Sequence, residues 1–265
     1  MACEVAQALV IEVGEVGGRL LAAFDRAAFP ARGVRRGDDL AAILAAHPRA
    51  ARIAAVREEA LAGLLDAFAD EGLERVALLQ NGLLEVVHGD LGAATRGLVW
   101  FTSKGDFFRV LAPTLLHGPL AATLAEALRR GGIDAEEIPD RAAFAREMIV
   151  KGLWNCVVGL PLAVHGENLA AYRRARRDEA RAILDEGARA LGAFYGVEVD
   201  ADEAERRLRR TTEELGWMRG GAKALAWRNG AVARCGRLAG VPTPTNDALL
   251  RAAGYDPDDR AATVR

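Results

Sequence analysis

Residues 8–18 read ALVIEVGEVGG. Ala8 to Val13 is a short apolar run of the kind that forms a buried strand. Gly14 to Gly18 is a glycine-rich turn, and Arg19 to Ala28 carries apolar residues at helical spacing until Pro30 ends it. Strand, glycine turn and helix in that order are the frame of the dinucleotide fingerprint G-x-G-x-x-G. In it the first glycine makes the turn, the second admits the pyrophosphate to the backbone and the third lets helix meet strand. The aligned residues are Glu12-Val13-Gly14-Glu15-Val16-Gly17. The second and third glycines are present as Gly14 and Gly17, and the first is Glu12. Gly14, Val16 and Gly17 are therefore the cofactor-binding positions of this turn, against the alternative of a strand–helix turn with no ligand. Glu12 and Glu15 put negative charge where a pyrophosphate would lie.

Outward from this turn, short apolar runs alternate with helical stretches. Gly33 to Arg36, Arg52 to Val56 and Arg75 to Leu79 read as strands, with later ones at Leu98 to Thr102 and Phe107 to Leu111. Helices are expected at Leu40 to Ala46, capped by Asp38 or Asp39, at Glu58 to Ala69 and at Pro119 to Arg130. Such alternation predicts a parallel sheet with helices packed on it. From about Asp140 the pattern is helical throughout, over Arg141 to Gly159, Glu167 to Tyr195, Asp202 to Leu215 and Lys223 to Ala239. The expected fold class is a Rossmann-like α/β domain over 1–140 followed by an all-α domain over 141–265.

Composition narrows the function classes. The 265 residues are 51% hydrophobic and 27% charged, the balance of an ordinary globular protein. Lysine plus arginine is 35 against 37 for aspartate plus glutamate, so a dedicated nucleic-acid binder is not expected. No run of about 18 apolar residues predicts a membrane span, and the acidic, glycine-containing start does not read as a signal peptide. Cys3, Cys156 and Cys235 are too far apart and too few for a disulfide framework or a metal cluster. A cytoplasmic setting with no metal is the default expectation.

Four further constellations carry chemistry. Arg35 and Arg36 follow the second strand, where arginine can receive the 2′-phosphate of NADP; the alternative is a solvated pair with Asp38 and Asp39. Gln80-Asn81-Gly82-Leu83 follows a strand end, where ligands bind in open α/β sheets, although Asn-Gly is also a strong turn pair. Lys151 and Asn155 lie on one face of the apolar helix MIVKGLWNCVVGL. A lysine there can protonate a carbonyl oxygen as hydride reaches the carbon; otherwise it snorkels at a domain interface. Gly240 to Asp247, GVPTPTND, predicts a stiff entry to the last helix with Asn246 or Asp247 as cap. His88, His117 and His165 lack metal-ligand spacing and read as surface or packing residues, and the arginine–glutamate run from Glu203 to Glu214 reads as a salt-bridged face.

In this order the pieces resemble the ketopantoate reductase (2-dehydropantoate 2-reductase) family. The resemblance rests on Val13 to Gly18, on Val56-Arg57 in place of a valine-lysine pair, and on Leu78 to Leu83 as LLQNGL. It rests also on Lys151 to Asn155 as K-x-x-x-N and on Val241 to Asn246 as VPTPxN. The resemblance implies an NADPH-dependent reductase with a Rossmann domain and a helical substrate and dimerisation domain. It implies Lys151 as general acid, aided by Asn155, with Asn81 and Asn155 contacting cofactor or substrate. Arg35 or Arg36 would read the 2′-phosphate, Arg57 would join the cofactor site, and Thr211 or Thr212 would fall near a substrate-binding serine. A small carbonyl substrate and a homodimer follow in the same way. The sequence departs from the family at Glu12, at Gly159 where a further asparagine is usual, and at Ala224 where the family has a glutamate. Two readings result: an NADP-dependent reductase of a ketone or 2-oxoacid, or a ligand-binding or regulatory protein on the same fold with reduced or no catalysis.

Overall fold

The computed structural model describes residues 5–69, 72–105 and 107–258. Cys3 lies outside the described residues. The chain divides into two compact units, 1–81 with 90–144, and 82–89 with 145–265.

The first unit opens with β1 (Ala8–Ile11), α1 (Glu15–Arg26), β2 (Ala31–Val34), α2 (Leu40–Ala46), β3 (Ala51–Ala54), α3 (Leu61–Phe68) and β4 (Val76–Leu78). After α4 (Glu85–His88), which belongs to the second unit, come β5 (Thr95–Leu98), β6 (Phe101–Lys104), β7 (Phe107–Val110), β8 (Thr114–His117), α5 (Ala121–Arg130) and β9 (Ala135–Glu137). One sheet runs β2-β1-β3-β4-β5-β8-β9, parallel in every pair except β5 with β8. A parallel return needs a crossover of a dozen residues or more. The β6–β7 hairpin offers no helical crossover between β5 and β8, and those two strands pair antiparallel. Every residue of β1 and β3 is buried, as a sheet covered on both faces requires. Leu20, Phe24, Leu124 and Leu128 from α1 and α5 join Val10 and Ile53 of the sheet in one apolar cluster.

Most expected elements are found with shifted ends. Asp39 caps α2, its carboxylate accepting from the Ala42 amide at 3.0 Å. The run Leu98 to Thr102 is not one strand. It ends β5, turns through buried Val99 and Trp100, and begins β6, because burial in a turn demands apolar residues as strongly as a strand does. β8 and β9 escaped the sequence reading, since TLLH and AEE are too short to show a period.

The second unit holds α6 (Arg141–Val158, entered from the first unit), α7 (Leu160–His165), α8 (Leu169–Ala175), α9 (Arg177–Tyr195), α10 (Ala201–Thr211), α11 (Asn229–Ala239) and α12 (Pro244–Ala252). The single helix expected over Glu167 to Tyr195 is two, broken at Arg176 (φ −134°, ψ 43°). The helix expected from Lys223 begins only at Asn229, because Ala224 turns left-handed at φ 50° into a tight turn over Leu225–Trp227. Gly82 to Gly89, expected in the first domain, belongs to the helical unit. There the Leu83 amide donates to the Trp227 carbonyl at 2.8 Å and the Tyr195 hydroxyl donates to Glu85 at 3.0 Å. Arg141 to His165 is long and apolar enough, by composition, to cross a membrane; 78% of its most apolar window is buried in the protein, as in a core helix.

Candidate functional site

In the first unit, parallel pairing decides what meets. β1, β2, β3 and β4 run the same way, so the residues after their C-terminal ends share one edge of the sheet. Gly14 follows β1, Arg35 and Arg36 follow β2, Arg57 follows β3, and Asn81 follows β4. The order β2-β1-β3 makes β1 the switch point beside which open α/β sheets bind ligands.

The turn after β1 fits a pyrophosphate in its backbone. No side chain caps α1, so its first amides are free to meet an anion. A Cβ at Gly14 would come no closer than 4.0 Å to the Glu12 carbonyl, which leaves the approach open. A Cβ at Gly17 would stand 3.3 Å from Val10 Cγ1 and 3.5 Å from the Ala55 methyl, so Gly17 is the close helix–strand contact. Val16 presents its side chain to the core and leaves its backbone in the first turn of α1. Glu12 occupies the first glycine position with a glycine-like conformation, φ 52°. That costs a side-chain-bearing residue about 1 kcal/mol. Its carboxylate lies 3.4 Å from Arg36 Nη2, so Arg36 meets Glu12 rather than Asp38 or Asp39. Arg35 is exposed, and its amide donates to Asp38 at 2.8 Å. Arg57 is exposed at the start of a short turn before α3.

Asn81 Oδ1 accepts from the Val99 amide at 3.0 Å, so its side chain helps hold the β5–β6 turn. Gln80, for which no role was read, is buried. Its Nε2 donates to the carbonyls of Ala54 and Val56 at 2.8 and 3.1 Å, tying the ends of β4 and β3 together.

In the second unit, Lys151 and Asn155 lie one turn apart on α6 and are 3% and 5% exposed. Met148, Ile149, Leu153 and Cys156 around them are buried as well. The lysine ammonium stands 4.2 Å from the centre of the Trp154 ring, a cation–π distance. Burial, with the Arg228 charge adding to it, lowers the Lys151 pKa to about 7. The amine can therefore give up and regain a proton near neutral pH. Burial pushes the Cys156 thiol the other way, up to about 12, which removes it as a nucleophile. α6 stops at Gly159, where a Cβ would lie 2.7 Å from the Asn155 carbonyl, so this backbone has no room for a side chain there.

The remaining positions are bound into the helices. The hydroxyls of Thr211 and Thr212 donate to carbonyls of the preceding turn of α10, and Arg173 donates to Thr212, which is fully buried. The VPTPTN segment starts α12 at Pro244. Neither Asn246 nor Asp247 caps it, because both already lie inside the first turn. The carboxylate of buried Glu186 on α9 does, accepting from the amides of Thr245 and Asn246 at 3.0 to 3.1 Å. Asn246 is locked instead to Asn229 by paired amide hydrogen bonds of 2.9 and 3.0 Å. Glu186 lies about sixty residues from the helix it caps, and no local signal marks it. His165 meets Glu179 at 2.9 Å, and Trp227 Nε1 donates to His88 at 3.3 Å. Among the described residues no group of three His, Cys, Asp or Glu could hold a metal ion. An open groove of about 910 Å³, lined in part by Arg146, Gly192, Asp200 and Pro242, contains none of the residues singled out from sequence.

No family model matches the sequence. A curated 2-dehydropantoate 2-reductase of Mycobacterium tuberculosis is 29% identical over 198 residues, which spans 66% of this chain and 64% of the relative. The match thus covers less than two thirds of the relative's own length. Among solved structures, a D-mandelate dehydrogenase in complex with NADH superposes with a TM-score of 0.72 at 15% identity, over 94% of this chain and 97% of the other. A dimeric ketopantoate reductase from Staphylococcus aureus gives 0.71 at 14% identity, over 94% and 98%. At such identities the two structures speak for the fold: a Rossmann-like α/β unit followed by a helical one. The chain is thus similar in sequence to a 2-dehydropantoate 2-reductase over part of its length, and it shares the fold of the ketopantoate reductases.

Proposed function

We propose that the chain is an NADP-dependent oxidoreductase that reduces the carbonyl of a ketone or 2-oxoacid, with Lys151 as general acid. The observation that carries this reading is the buried Lys151 on α6, held near neutrality by its surroundings. NADPH, when bound, supplies the hydride. The amides at Gly14, Val16 and Gly17 offset the charge of its pyrophosphate, and Arg35 and Arg36 receive its 2′-phosphate, with Arg57 and Asn81 farther along the same edge. Lys151 Nζ donates its proton to the substrate oxygen and recovers one from solvent. Asn155, one turn along α6, supplies an amide to hold that oxygen. The D-mandelate dehydrogenase complex contains NADH, so a nicotinamide cofactor suits the fold, and the two arginines favour the phosphorylated form. The dimeric relative supports a homodimer, and a cytoplasmic setting accompanies this reading.

Replacing Lys151 by Ala should cut turnover about a thousandfold, the range of a lost general acid. NADPH binding, followed by nicotinamide fluorescence, should stay within about twofold, since the α1 turn is untouched. Turnover equal to wild type in this variant would overturn the assignment. A second reading, a ligand-binding or regulatory protein with reduced or no catalysis, is favoured by Glu12, whose carboxylate stands at the first glycine position and engages Arg36. Tight NADPH binding with no oxidation across a panel of 2-oxoacids would support it. Binding of neither NADPH nor NADH would remove the reductase reading.

A further inference from the structure

Glu15 is the second acid of the turn after β1. It is the first residue of α1, and a free carboxylate there repels an anion resting on the neighbouring amides. The fold gives that carboxylate another partner. Glu15 Oε1 accepts from the amide of Gly105, ninety residues along the chain, at 3.3 Å. Gly105 stands at the tip of the β6–β7 hairpin, in a left-handed conformation, φ 57°, that favours glycine.

A second residue of α1 holds the hairpin tip in place. Arg19 lies one turn after Glu15, so the two share a face of the helix. Arg19 Nη2 donates to the Gly105 carbonyl at 2.8 Å, and its Nε donates to the Ser103 hydroxyl at 3.2 Å. Its guanidinium carbon lies 5.1 Å from the centre of the Phe108 ring. Glu15 and Arg19 thus take the amide and the carbonyl of one glycine. β6 and β7 form a sheet of their own, and a two-stranded hairpin by itself is marginal in water. Its root is fixed by burial, with Phe101 in the same apolar cluster as Leu20 and Phe24 of α1 and Val110 packed against it. Its tip is fixed by the polar clasp.

We infer that Arg19 is a positioning residue for the cofactor site. By clasping the hairpin tip to α1, it keeps the Gly105 amide on Glu15 and holds that carboxylate on the hairpin side of the helix. The role rests on the nicotinamide-cofactor reading of the turn. It explains how an acidic turn can take a pyrophosphate: Glu12 is engaged by Arg36, and Glu15 by the hairpin. The Arg19 charge, one turn away, offsets the Glu15 charge further.

The test is titration of the full chain with NADPH and with NADH, followed by nicotinamide fluorescence, beside amide hydrogen exchange of the hairpin without nucleotide. Arg19→Ala releases Glu15 and should weaken both nucleotides by the same factor, about fivefold at low salt, because they share the pyrophosphate. The loss should shrink as salt is added. Exchange at the hairpin tip should quicken in the same variant. Glu15→Gln alone should change affinity by less than about twofold, since the charge it removes is already offset. Combined with Arg19→Ala, it should bring binding back to within about twofold of wild type, a rescue that a purely structural role of Arg19 does not give. Unchanged binding or unchanged hairpin exchange in Arg19→Ala, a loss confined to NADPH, or no rescue in the double variant would each overturn the inference. So would Glu15→Gln binding about fivefold tighter than wild type, which would mean that Glu15 already opposes the anion. Failure of the cofactor reading has a different signature: wild type binds neither nucleotide, while Arg19→Ala still quickens hairpin exchange.

Discussion

The turn after β1 and the middle of α6 differ in the sign of their charge and in their exposure. The turn is acidic, with Glu12 and Glu15, and open to solvent; Glu12 and Arg36 keep 33% and 79% of their side-chain surface exposed. The α6 region is cationic, with Lys151 only 3% exposed and Arg228 at its side. Water and salt screen an exposed pair, so the Glu12–Arg36 contact contributes little to stability. In the buried region, burial first and the Arg228 charge second lower the Lys151 pKa to about 7. Departures from a family pattern are therefore unequal. An altered charge at the turn is screened by water, whereas an altered charge near Lys151 acts with little screening.

The largest effect expected from this contrast lies at another buried charge. Glu186→Ala leaves the first amides of α12 unpaired and should cost about 3 kcal/mol in urea unfolding, with Glu186→Gln in between. A loss below about 1 kcal/mol, the scale of an exposed pair, would break the contrast. Next is the response to pH. A general acid whose pKa is about 7 is depleted above it, so carbonyl reduction should fall about tenfold per unit as pH rises beyond 7. The same shift sets a stability trend. The folded pKa lies below the unfolded one, so the cost of burying the ammonium is full below about 7 and fades as pH rises toward the ordinary lysine value. Lys151→Met should therefore melt above wild type at pH 7, and the gap should narrow by about pH 10. A gap that does not change with pH would show that Lys151 is not the titrating group. The smallest effect belongs to the turn. Glu12→Gly relieves the left-handed side chain and frees Arg36, and should tighten NADPH about fivefold with less effect on NADH. Equal gains for both nucleotides in a binding titration would show that Arg36 does not read the 2′-phosphate.

Much of the α/β frame was legible because its signals are local. The apolar run of β1, Gly14 and Gly17, the Asp39 cap and the apolar stretch of α6 can each be read within about a dozen residues. The strand and the helix expected at Gly33 to Arg36 and Leu40 to Ala46 are β2 and α2. What was missed is non-local or lacks a period. The break at Arg176 has neither glycine nor proline to announce it. The late start of α11 depends on a left-handed Ala224, a conformation its side chain does not advertise. The cap of α12 was sought inside the VPTPTN segment and comes from Glu186 on α9.

The sequence by itself determined the alternation of the first strands and helices, the glycine turn after β1 and a lysine set in an apolar helix. These follow from backbone preference and side-chain periodicity, which act over a few neighbouring residues. Only the tertiary structure decided the company each charge keeps. It set Glu12 against Arg36, Glu186 under α12, and the Arg228 charge where it acts on Lys151. Electrostatic energy depends on distance through space and on burial, and neither is written in the spacing of residues along a chain.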